Sequence, residues 1–478
     1  MNLLESYKNR LQISESVHQK SHNGAKMSAT KKLMIASVLN NTSKFMNEAF
    51  NSSAATQRSA LGDFKKFCLN VATVALPNLI LPELMLTQPM TSISGYVTYL
   101  RYTAGTTKGG VKEEQMFGSV YRHGEMNADR AHYTSDKVVE TVTTETTSYD
   151  LSWTPVVAGA FGKNEDGTTR DVKITRENGD VEFLTLGKDE NGNVTDTTVD
   201  TALDVGDRIA YAYDNVVIPQ QNKPTSLPTL TAAMDAIDLH AHARRIAVYY
   251  SQIAAFQAKT DYGYDLADQL STQAQGELAY EIDTEGVLML YEGAEVDNAL
   301  KFEAYDVATT PATPYISRSQ YYEQFSEIVA RAKKIIYQRT QKFAPNYMVV
   351  GANVLTIMPY VKGWTAAPAS AVNGPYFAGT IDGLKVYCSP SIPEDRFFFG
   401  VNGSDLQTSA AVYAPYMAIV PTQLLGFADG GMSQGFSTMY DMKLLSTYNK
   451  NDNGEKVDAK DGKYSYLLVG GEFVTTNG

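Results

Sequence analysis

The sequence predicts a mixed α+β protein, and two kinds of pattern support this. Two segments, 264–295 and 318–342, repeat apolar residues every three or four positions, which is typical of long amphipathic helices. Other segments alternate apolar and polar residues, as half-buried strands do. The chain has 478 residues, which is enough for two to four domains or subdomains.

The charge and cysteine content argue against several classes of protein. A net charge of −12 and a pI of about 5.1 do not suit sequence-specific nucleic-acid binding, which needs a basic surface. The two cysteines, Cys68 and Cys388, lie far apart and indicate neither a disulfide framework nor a metal knuckle. The sequence contains no signal-peptide pattern and no apolar run typical of a membrane helix. We therefore expect a protein that is made and used in a cytoplasm, without a membrane partner.

Residues 1–70 are polar and helix-prone, and they predict an N-terminal arm rather than a domain. Segment 31–50 carries apolar residues at mixed three- and four-residue spacing, which predicts an amphipathic helix or two short ones. These residues are Leu33, Met34, Val38, Phe45, Met46, Ala49 and Phe50. A Ser/Ala/Thr/Gln-rich connector follows them.

The segment 71–94, which we call the strap, is almost wholly apolar but cannot form a long helix. Pro77, Pro82 and Pro89 interrupt the run VALPNLILPELMLTQPM, and each would remove a helix hydrogen bond. Residues before a proline favour extended geometry. The strap must therefore be covered, either by the chain's own core or by a neighbouring chain.

Residues 95–236 predict a strand at 94–102 and another at 138–150, followed by a small β insertion at about 151–218. Three dipeptides in the insertion have the form of hairpin turns and separate short alternating runs. They are Asp166-Gly167, Asn178-Gly179 and Asn191-Gly192. A proline-punctuated linker at 219–230 closes the region.

Residues 237–345 predict an alternating strand at 237–252 and then the two long helices. The first helix has one apolar stripe, because Leu266, Leu270, Ala274, Leu278 and Ile282 recur every four residues. The second begins at a capping-box pair, Ser317 and Gln320, and stops before Pro345.

Residues 346–430 predict a buried strand, a short helix, a long loop at 363–377 and several closing strands. Residues 431–478 contain a polar excursion at 449–463 and a last strand. The sequence contains no internal repeat.

Candidate catalytic and binding motifs do not combine into a site. His240 and His242 stand two apart on a predicted strand, so they could share a zinc ion if a third ligand came from elsewhere; a polar strand face is the alternative. The run GTTKGG, residues 105–110, has its lysine in the wrong place for a phosphate loop, and KDENGN, residues 188–193, fits a hairpin turn better than a calcium loop. Cys388 has no base at a useful spacing. We therefore expect no catalytic, cofactor-binding or metal-binding residues, and a structural or binding protein rather than an enzyme.

Several segments, in order, resemble the major capsid protein of T-even-like contractile-tailed phages. They are ALPNLILPELMLTQPMTSISGYVTYLRY, HARRIAVYYSQ, LADQLSTQAQGELAYEIDTEGVLML, NYMVVGANVLTIM, FAGTIDGLKVY and FFFGVNGSDLQTSAAVYAPYMAIVP. The third resembles the family's long spine helix, with acidic positions near Glu277, Glu281 and Glu285. At 243–244 the sequence has Ala-Arg where the family has Ser-Arg. The arm, the β insertion and the end after 446 match poorly.

This resemblance implies an α+β Hong Kong-type capsid fold and a head protein of a virion. It implies an arm at 1–70, the strap at 71–94 and an extended loop at 95–236. It further implies a peripheral domain with the spine helix at 237–345, an axial domain at 346–430 and a return to the peripheral domain at 431–478. Copies of the chain would form hexamers and pentamers of an icosahedral or prolate shell around phage DNA, assembled in the host cytoplasm.

The resemblance also implies partners and sites. The partners are other copies of the chain, a scaffolding protein, a prohead protease, a portal, decoration proteins and non-specifically packaged DNA. Relatives are cleaved in the arm after Leu or Ile, any residue, then Glu, so ISE at 13–15 predicts cleavage after Glu15; LLE at 3–5 also fits. The residues expected at contacts between subunits are Leu79, Ile80, Leu84 and Met85 in the strap, with Trp364 and Tyr376 near a capsomer's centre. Aspartate at Leu79 or Leu84 would then leave a partly folded monomer that cannot assemble.

Four other classes of protein remain open from the sequence. An encapsulin-like bacterial compartment protein would share the fold, although the insertion and arm disfavour it. A tail sheath or tube protein also self-assembles but lacks this order of helices. A hydrolase of unrecognised type would need a buried acid–histidine pair in a cleft. A host-surface adhesin could use the β insertion but would need an export signal.

Overall fold

The computed structural model contains two compact units, Met1–Tyr99 with Ala236–Gly478, and Leu100–Asp235. The structure describes residues 3–21, 26–51, 69, 73, 76, 79–106, 108, 116–117, 133–213, 228–263, 265–305, 317–340, 343–368, 374–406, 408–422, 425–450, 456–458 and 462–474. The predicted connector after residue 51 and most of the predicted linker at 219–230 lie outside the described residues.

The first unit begins with a helical arm and the strap. The arm contains helices α1 (Leu3–Ser6), α2 (Lys8–Ser21) and α3 (Ala29–Asn51). Met34, Val38 and Met46 of α3 are buried, whereas Leu33 and Phe45 are exposed. Ile35, Ala36 and Leu39 are also buried, so the buried face coincides only in part with the predicted one. The strap forms one helical turn, α4 (Leu81–Leu84), and a short strand, β1 (Leu86–Thr87).

Strand β1 starts a sheet with the order β1-β18-β20-β11, and β19 pairs with β20. The later strands are β11 (His242–Ser251), β18 (Ala411–Pro421), β19 (Leu425–Gly426) and β20 (Gly431–Leu444). Helices α5 (Gln252–Gln257) and α6 (Leu266–Gly293) follow β11, with a π-helical turn at Ala258–Tyr262 between them. The predicted apolar stripe of α6 lies on this sheet, because Ala274 and Leu278 pack with Ile419 and Phe436.

A second, seven-stranded sheet has the order β12-β24-β17-β13-β16-β15-β14. Its strands are β12 (Glu295–Glu303), β13 (Tyr347–Val350), β14 (Trp364–Ala366), β15 (Tyr376–Ile381), β16 (Leu384–Cys388), β17 (Arg396–Gly400) and β24 (Leu468–Val474). Two helices, α7 (Arg318–Glu323) and α8 (Phe325–Thr340), lie between β12 and β13 in the chain. Helix α9 (Ala352–Ile357) and a 3-10 turn (Met358–Tyr360) follow β13. All four residues of β13 are buried, as expected for a central strand covered on both faces. A small sheet of β21 (Thr447–Lys450), β22 (Lys456–Asp458) and β23 (Tyr464–Ser465) precedes β24.

The second unit is built from short antiparallel strands around its own core. Its four-stranded sheet has the order β4-β9-β6-β7, and β5 pairs with β8. These strands are β4 (Lys137–Thr141), β5 (Tyr149–Asp150), β6 (Val172–Thr175), β7 (Val181–Leu184), β8 (Thr198–Val199) and β9 (Arg208–Ala212). The chain enters along β2 (Ser94–Ala104) and leaves along β10 (Leu230–His240), which share a sheet with β3 (Met116–Phe117).

The three predicted hairpin turns are confirmed. Gly167, Gly179 and Gly192 all adopt positive φ, between 83° and 92°. The turn at Gly179 joins β6 to β7, and the other two lie between bridged residue pairs. Glycine is needed at these positions because other residues rarely adopt positive φ.

Several predicted element boundaries are wrong. The sheet of the insertion starts before residue 151, because β4 pairs with β9 along its length. The predicted strand at 138–150 consists of two short strands, and the predicted strand at 237–252 breaks at Ala241 between β10 and β11. The predicted helix at 318–342 is divided between α7 and α8, and the predicted loop at 363–377 contains β14. The polar excursion at 449–463 contains the end of β21 and β22, which pair.

Candidate functional site: the anchor of the arm and strap

The short helix α4 begins beside a carboxylate from a distant part of the chain. Ile80 precedes it and supplies no side-chain cap. Asp283 of α6 accepts hydrogen bonds from the backbone N–H groups of Ile80, at 3.1 Å, and Leu81, at 3.2 Å. The first N–H groups of a helix have no partner within it, so Asp283 satisfies two donors that would otherwise be buried without one.

A glycine in α6 allows the strap to approach this closely. A Cβ atom at Gly286 would lie 2.3 Å from Cδ2 of Leu81, and Leu81 is fully buried. Carbon atoms at optimal contact are about 3.5–4.0 Å apart, so no larger residue fits without displacement. The strap therefore lies in a groove of α6 that the absence of a side chain creates.

The arm contributes a buried lysine to the same place. Lys31 of α3 is 3% exposed, and its Nζ donates a hydrogen bond to the carbonyl oxygen of Leu79 at 3.1 Å. The same Nζ lies 3.4 Å from Nδ1 of His18 in α2. Lys31 thus connects α2 and α3 to the strap directly before α4.

Glu83 of α4 links the strap to the seven-stranded sheet. Its Oε2 accepts hydrogen bonds from Nζ of Lys385, at 2.9 Å, and from the hydroxyl of Tyr387, at 2.6 Å. Asn402 donates from Nδ2 to the backbone oxygen of Glu83 at 2.9 Å. The carboxylate of Glu83 is therefore a partly buried charge with several hydrogen-bond partners.

Burial and neighbouring charges shift the pKa values of the three ionisable groups in different directions. Burial raises the pKa of Asp283 to about 7, although the two backbone N–H groups and Lys31 oppose that rise. Burial also lowers the pKa of Lys31 to about 8, against the opposing effect of Glu83 and Asp283. For Glu83 burial would raise the pKa, but Lys385, Tyr387 and Lys31 together lower it to about 2.

The arm makes further hydrogen bonds along the strap and to β18. Ser14 donates to the backbone oxygen of Thr73 at 2.8 Å. Asn41 donates from Nδ2 to the backbone oxygens of Met90, at 2.6 Å, and Tyr416, at 3.2 Å. These bonds, with Lys31, hold the arm to the strap at three separate points.

The predicted contact residues of the strap are covered by their own chain. Leu79, Ile80, Leu84 and Met85 are between 0 and 3% exposed. Of the two covers that the sequence left open, the chain's own core accounts for these four side chains. The single chain therefore excludes solvent from these four side chains without a neighbouring subunit.

Trp364 and Tyr376 lie in adjacent parts of one sheet and are only half-buried. Trp364 is in β14, the edge strand, where its indole covers Gly379 of β15. Tyr376 begins β15 and pairs with Cys388. Both side chains retain surface that a neighbouring molecule could contact.

Glu15, the predicted cleavage position, lies within helix α2. Its Oε1 accepts a hydrogen bond from Nζ of Lys32 at 2.9 Å, in an ion pair between α2 and α3. Lys32 lies next to Lys31, the lysine that holds the strap.

The structure describes several of the residues whose motifs suggested chemistry. His240 and His242 lie on either side of the strand break with their ring centroids 5.3 Å apart, and the described part of the chain contains no metal-binding group of histidines, cysteines and carboxylates. Lys108 is buried, lies 4.7 Å from the ring centroid of Tyr213, and donates to the backbone of Tyr133. Cys388 is buried, which raises the pKa of its thiol.

Arg244 and Glu285, two positions noted in the resembling segments, also meet. Arg244 of β11 forms an ion pair with Glu285 of α6, Nη2 to Oε1 at 2.5 Å, and Tyr440 of β20 donates to the same carboxylate. Sequence reasoning noted Glu285 but missed Asp283 and Lys31. The available signal was that Asp283 directly follows Ile282 of the apolar stripe, which places an acidic residue next to a buried face.

The comparisons with known proteins identify the family. The family model described as major capsid protein Gp23 matches residues 61–469. The comparison with curated proteins found no match.

Among solved structures, one from Mycobacterium phage Che8 is similar at 14% identity and a TM-score of 0.32, over 51% of this chain and 74% of that chain. The capsid of Myoviridae phage XM1 is similar at 8% identity and a TM-score of 0.31, over 54% and 80% of the two chains. A virus-like particle from Pyrococcus furiosus is similar at 10% identity and a TM-score of 0.30, over 50% and 79%.

The chain is an α+β subunit of the Hong Kong-type capsid class, and it is a component of a phage virion. Specifically, it belongs to the major capsid protein Gp23 family and is a major capsid protein. No helix among the described residues is both long and apolar enough to cross a membrane.

Proposed function

We propose that copies of this chain form hexamers and pentamers that close an icosahedral or prolate shell around phage DNA. The observation that carries the proposal is the family match over residues 61–469, which includes the strap, the second unit and most of the first. Each subunit in a shell has several neighbours, so contacts that are weak singly become strong together.

Each successive part of the chain has its own proposed role. Residues 1–70 act as an arm, 71–94 as a strap, 95–236 as an extended loop, 237–345 and 431–478 as a peripheral domain, and 346–430 as an axial domain. Trp364 and Tyr376 contact other copies near a capsomer's centre, which their half-buried position supports. Leu79, Ile80, Leu84 and Met85 act indirectly, by fixing the strap within the subunit that the neighbours then contact.

The proposed partners are a scaffolding protein, a prohead protease, a portal and decoration proteins, with assembly in the host cytoplasm. The shell contacts packaged DNA without sequence preference, because a chain of net charge −12 lacks the basic surface that specific binding needs. The chain itself acts as a structural protein and not as an enzyme, in keeping with its family.

Cleavage after Glu15 is part of the proposal. Proteases bind extended chain, so the helix α2 must unwind locally before cleavage, and the ion pair of Glu15 with Lys32 must break. Removal of residues 1–15 would also remove Ser14, which donates to the strap at Thr73.

Electron microscopy of the protein, co-expressed with its neighbouring phage genes, tests the proposal. We expect closed shells with hexameric capsomers. Tubes or contractile cylinders would instead indicate a tail protein. An intact-mass spectrum of the same particles tests the cleavage site: a chain that starts at Ser16 supports it, and a chain that starts at Met1 refutes it.

A further inference from the structure

A cleft beside the anchor is bordered by the arm, the strap and the seven-stranded sheet. Its volume is about 520 Å³, within the range of about 300–1,000 Å³ that small-molecule sites occupy. Lys26 and Thr30 line it from the arm, Thr87 from the strap, and Tyr347 and Lys385 from the sheet. These residues all belong to the first compact unit, so the cleft is a feature of that unit alone.

Helix α3 starts at this cleft. Ser28 precedes the helix, and its Oγ accepts a hydrogen bond from the backbone N–H of Lys31 at 3.2 Å. Ser28, Thr30 and Lys31 all line the cleft, so the first turn of a 23-residue helix borders it. That turn contains no acidic residue. The N-terminus of a helix carries a partial positive charge and N–H groups without partners in the helix, and both favour an anion.

Positive side chains outnumber negative ones in the lining. Lys26, Lys31 and Lys385 line the cleft with one carboxylate, Glu83, although the chain has a net charge of −12. Lys385 binds Glu83, and Lys31 donates to the strap. The other carboxyl group of the anchor, Asp283, does not line the cleft, and counting it would give three lysines against two acids. The lining is therefore positive on either count.

A buried hydroxyl group in the same lining has no partner. Tyr347 is 1% exposed, and its hydroxyl oxygen makes no hydrogen bond to any part of the chain that the structure describes. This oxygen lies over Gly400, where a Cβ atom would be 2.3 Å away, and Gly400 is two residues before Asn402 of the cleft lining. Buried polar groups normally have a hydrogen-bond partner, and an acceptor atom of a ligand in the cleft would supply one.

We propose that the cleft binds a small phosphorylated molecule of the nucleoside phosphate class. Phosphate suits the lining because its oxygen atoms accept several hydrogen bonds at once, and both helix N-termini and lysines bind it in proteins. The cleft is larger than a single phosphate group. Leu86 and Phe377 line it beside the polar groups, so the rest of the ligand includes a ring or another apolar part.

A ligand in this cleft connects the arm, the strap and the sheet, because its partners come from all three. Binding to the folded chain alone raises the apparent stability of that state, so the ligand stabilises the subunit with its arm docked. This inference is independent of the proposed shell, because every group that it uses belongs to one unit of a single chain.

Calorimetric titration of the unassembled full-length subunit tests the proposal. The probes are ADP, inorganic pyrophosphate and sulfate, each at the same ionic strength. We expect saturable binding of one ADP per chain, and weaker binding of pyrophosphate because it lacks the ring. Equal affinities for the three probes would indicate an adventitious ion only and would overturn the proposal, as would the absence of saturable binding.

Hydrogen–deuterium exchange of the same subunit tests the location of the ligand. We expect ADP to slow the exchange of backbone amides at the start of α3, at residues 28–32, and in β1, at residues 86–87. Slower exchange confined to other parts of the chain would overturn the assignment to this cleft.

Two substitutions test the residues that carry the proposal. Tyr347→Phe removes the unpaired hydroxyl, and Lys26→Ala removes an exposed ammonium group. We expect each to raise the Kd for ADP about tenfold, because a hydrogen bond or ion pair to a charged phosphate is lost. The Tm of the ligand-free subunit should not fall, since neither group stabilises it.

The matched control is Lys259→Ala, at an exposed lysine that does not line the cleft. It should leave the Kd for ADP unchanged. If Tyr347→Phe and Lys26→Ala bind ADP as tightly as this control does, the proposal is wrong.

Discussion

At the scale of single residues, Asp283 combines two roles that oppose each other. Its carboxylate caps helix α4 through the N–H groups of Ile80 and Leu81, an interaction that favours the charged form. Its burial favours the neutral form, and the net effect is a pKa of about 7. Burial lowers the pKa of Lys31 to about 8. The charge of Lys31 reduces the rise in the pKa of Asp283 but does not abolish it.

These values predict how stability depends on pH. The pKa of Asp283 is about 7 in the folded chain against an ordinary value of 3.8, so the folded chain binds more protons between about pH 4 and pH 7. The contribution of this group to the free energy of unfolding therefore falls as the pH rises through that window. Asp283→Asn retains an oxygen acceptor for both N–H groups but does not titrate.

Thermal unfolding of the unassembled full-length subunit at several pH values checks the prediction. We expect the Tm of the unsubstituted chain to fall relative to that of Asp283→Asn between about pH 4 and pH 7. Glu83, with a pKa of about 2, titrates below this window and is common to both proteins. Parallel Tm curves would show that the pKa of Asp283 is not raised.

At the scale of elements, the contact between α4 and α6 depends on a glycine. Gly286→Ala would place Cβ 2.3 Å from Leu81, which is enclosed and cannot move into solvent. Alanine favours a helix over glycine by about 1 kcal/mol, but overpacking a core costs about 1–3 kcal/mol. We expect a net loss of about 1 kcal/mol in the free energy of unfolding, measured by denaturant titration.

Gly276 provides a control in the same helix. No atom lies within 4 Å of a Cβ placed there, so Gly276→Ala should raise the free energy of unfolding by up to about 1 kcal/mol. The double variant Gly286→Ala with Leu81→Ala should show coupling, because the smaller Leu81 side chain removes the clash. Equal effects of the two glycine substitutions would mean that α4 does not pack tightly against α6.

The sequence predicted those elements whose signals are local. The four-residue stripe of α6, the capping box at Ser317 and the hairpin glycines depend on neighbours within a few positions, and all three are confirmed. Strand β14 was missed because its pairing with β15 comes from residues more than ten positions away. The polar anchor was missed for the same reason, since Lys31, Glu83 and Asp283 are far apart in the chain.

At the scale of the whole molecule, apolar side chains divide between those that the chain covers itself and those that it leaves exposed. The sequence leaves open whether the chain's own core or a neighbouring chain covers the strap, and the family resemblance predicts contacts with neighbouring subunits there. The structure buries Leu79, Ile80, Leu84 and Met85 of the strap and exposes apolar side chains elsewhere, such as Ile253, Phe256 and Phe427. The composition along the chain does not distinguish buried apolar segments from exposed ones, because the burial of an apolar residue depends on elements distant in sequence.

This division corrects the expected effect of a charge in the strap. Leu84 is fully buried, so Leu84→Asp would place a carboxylate in the subunit's own core and should lower its free energy of unfolding by about 3 kcal/mol or more. We expect the Tm of the unassembled subunit and the yield of shells to fall together. Phe256→Asp is the control, because Phe256 is 71% exposed and a charge there should leave the Tm unchanged. Thermal unfolding and sedimentation of both variants provide the comparison. If Leu84→Asp had a normal Tm but did not assemble, Leu84 would contact a neighbouring subunit and not the subunit's own core.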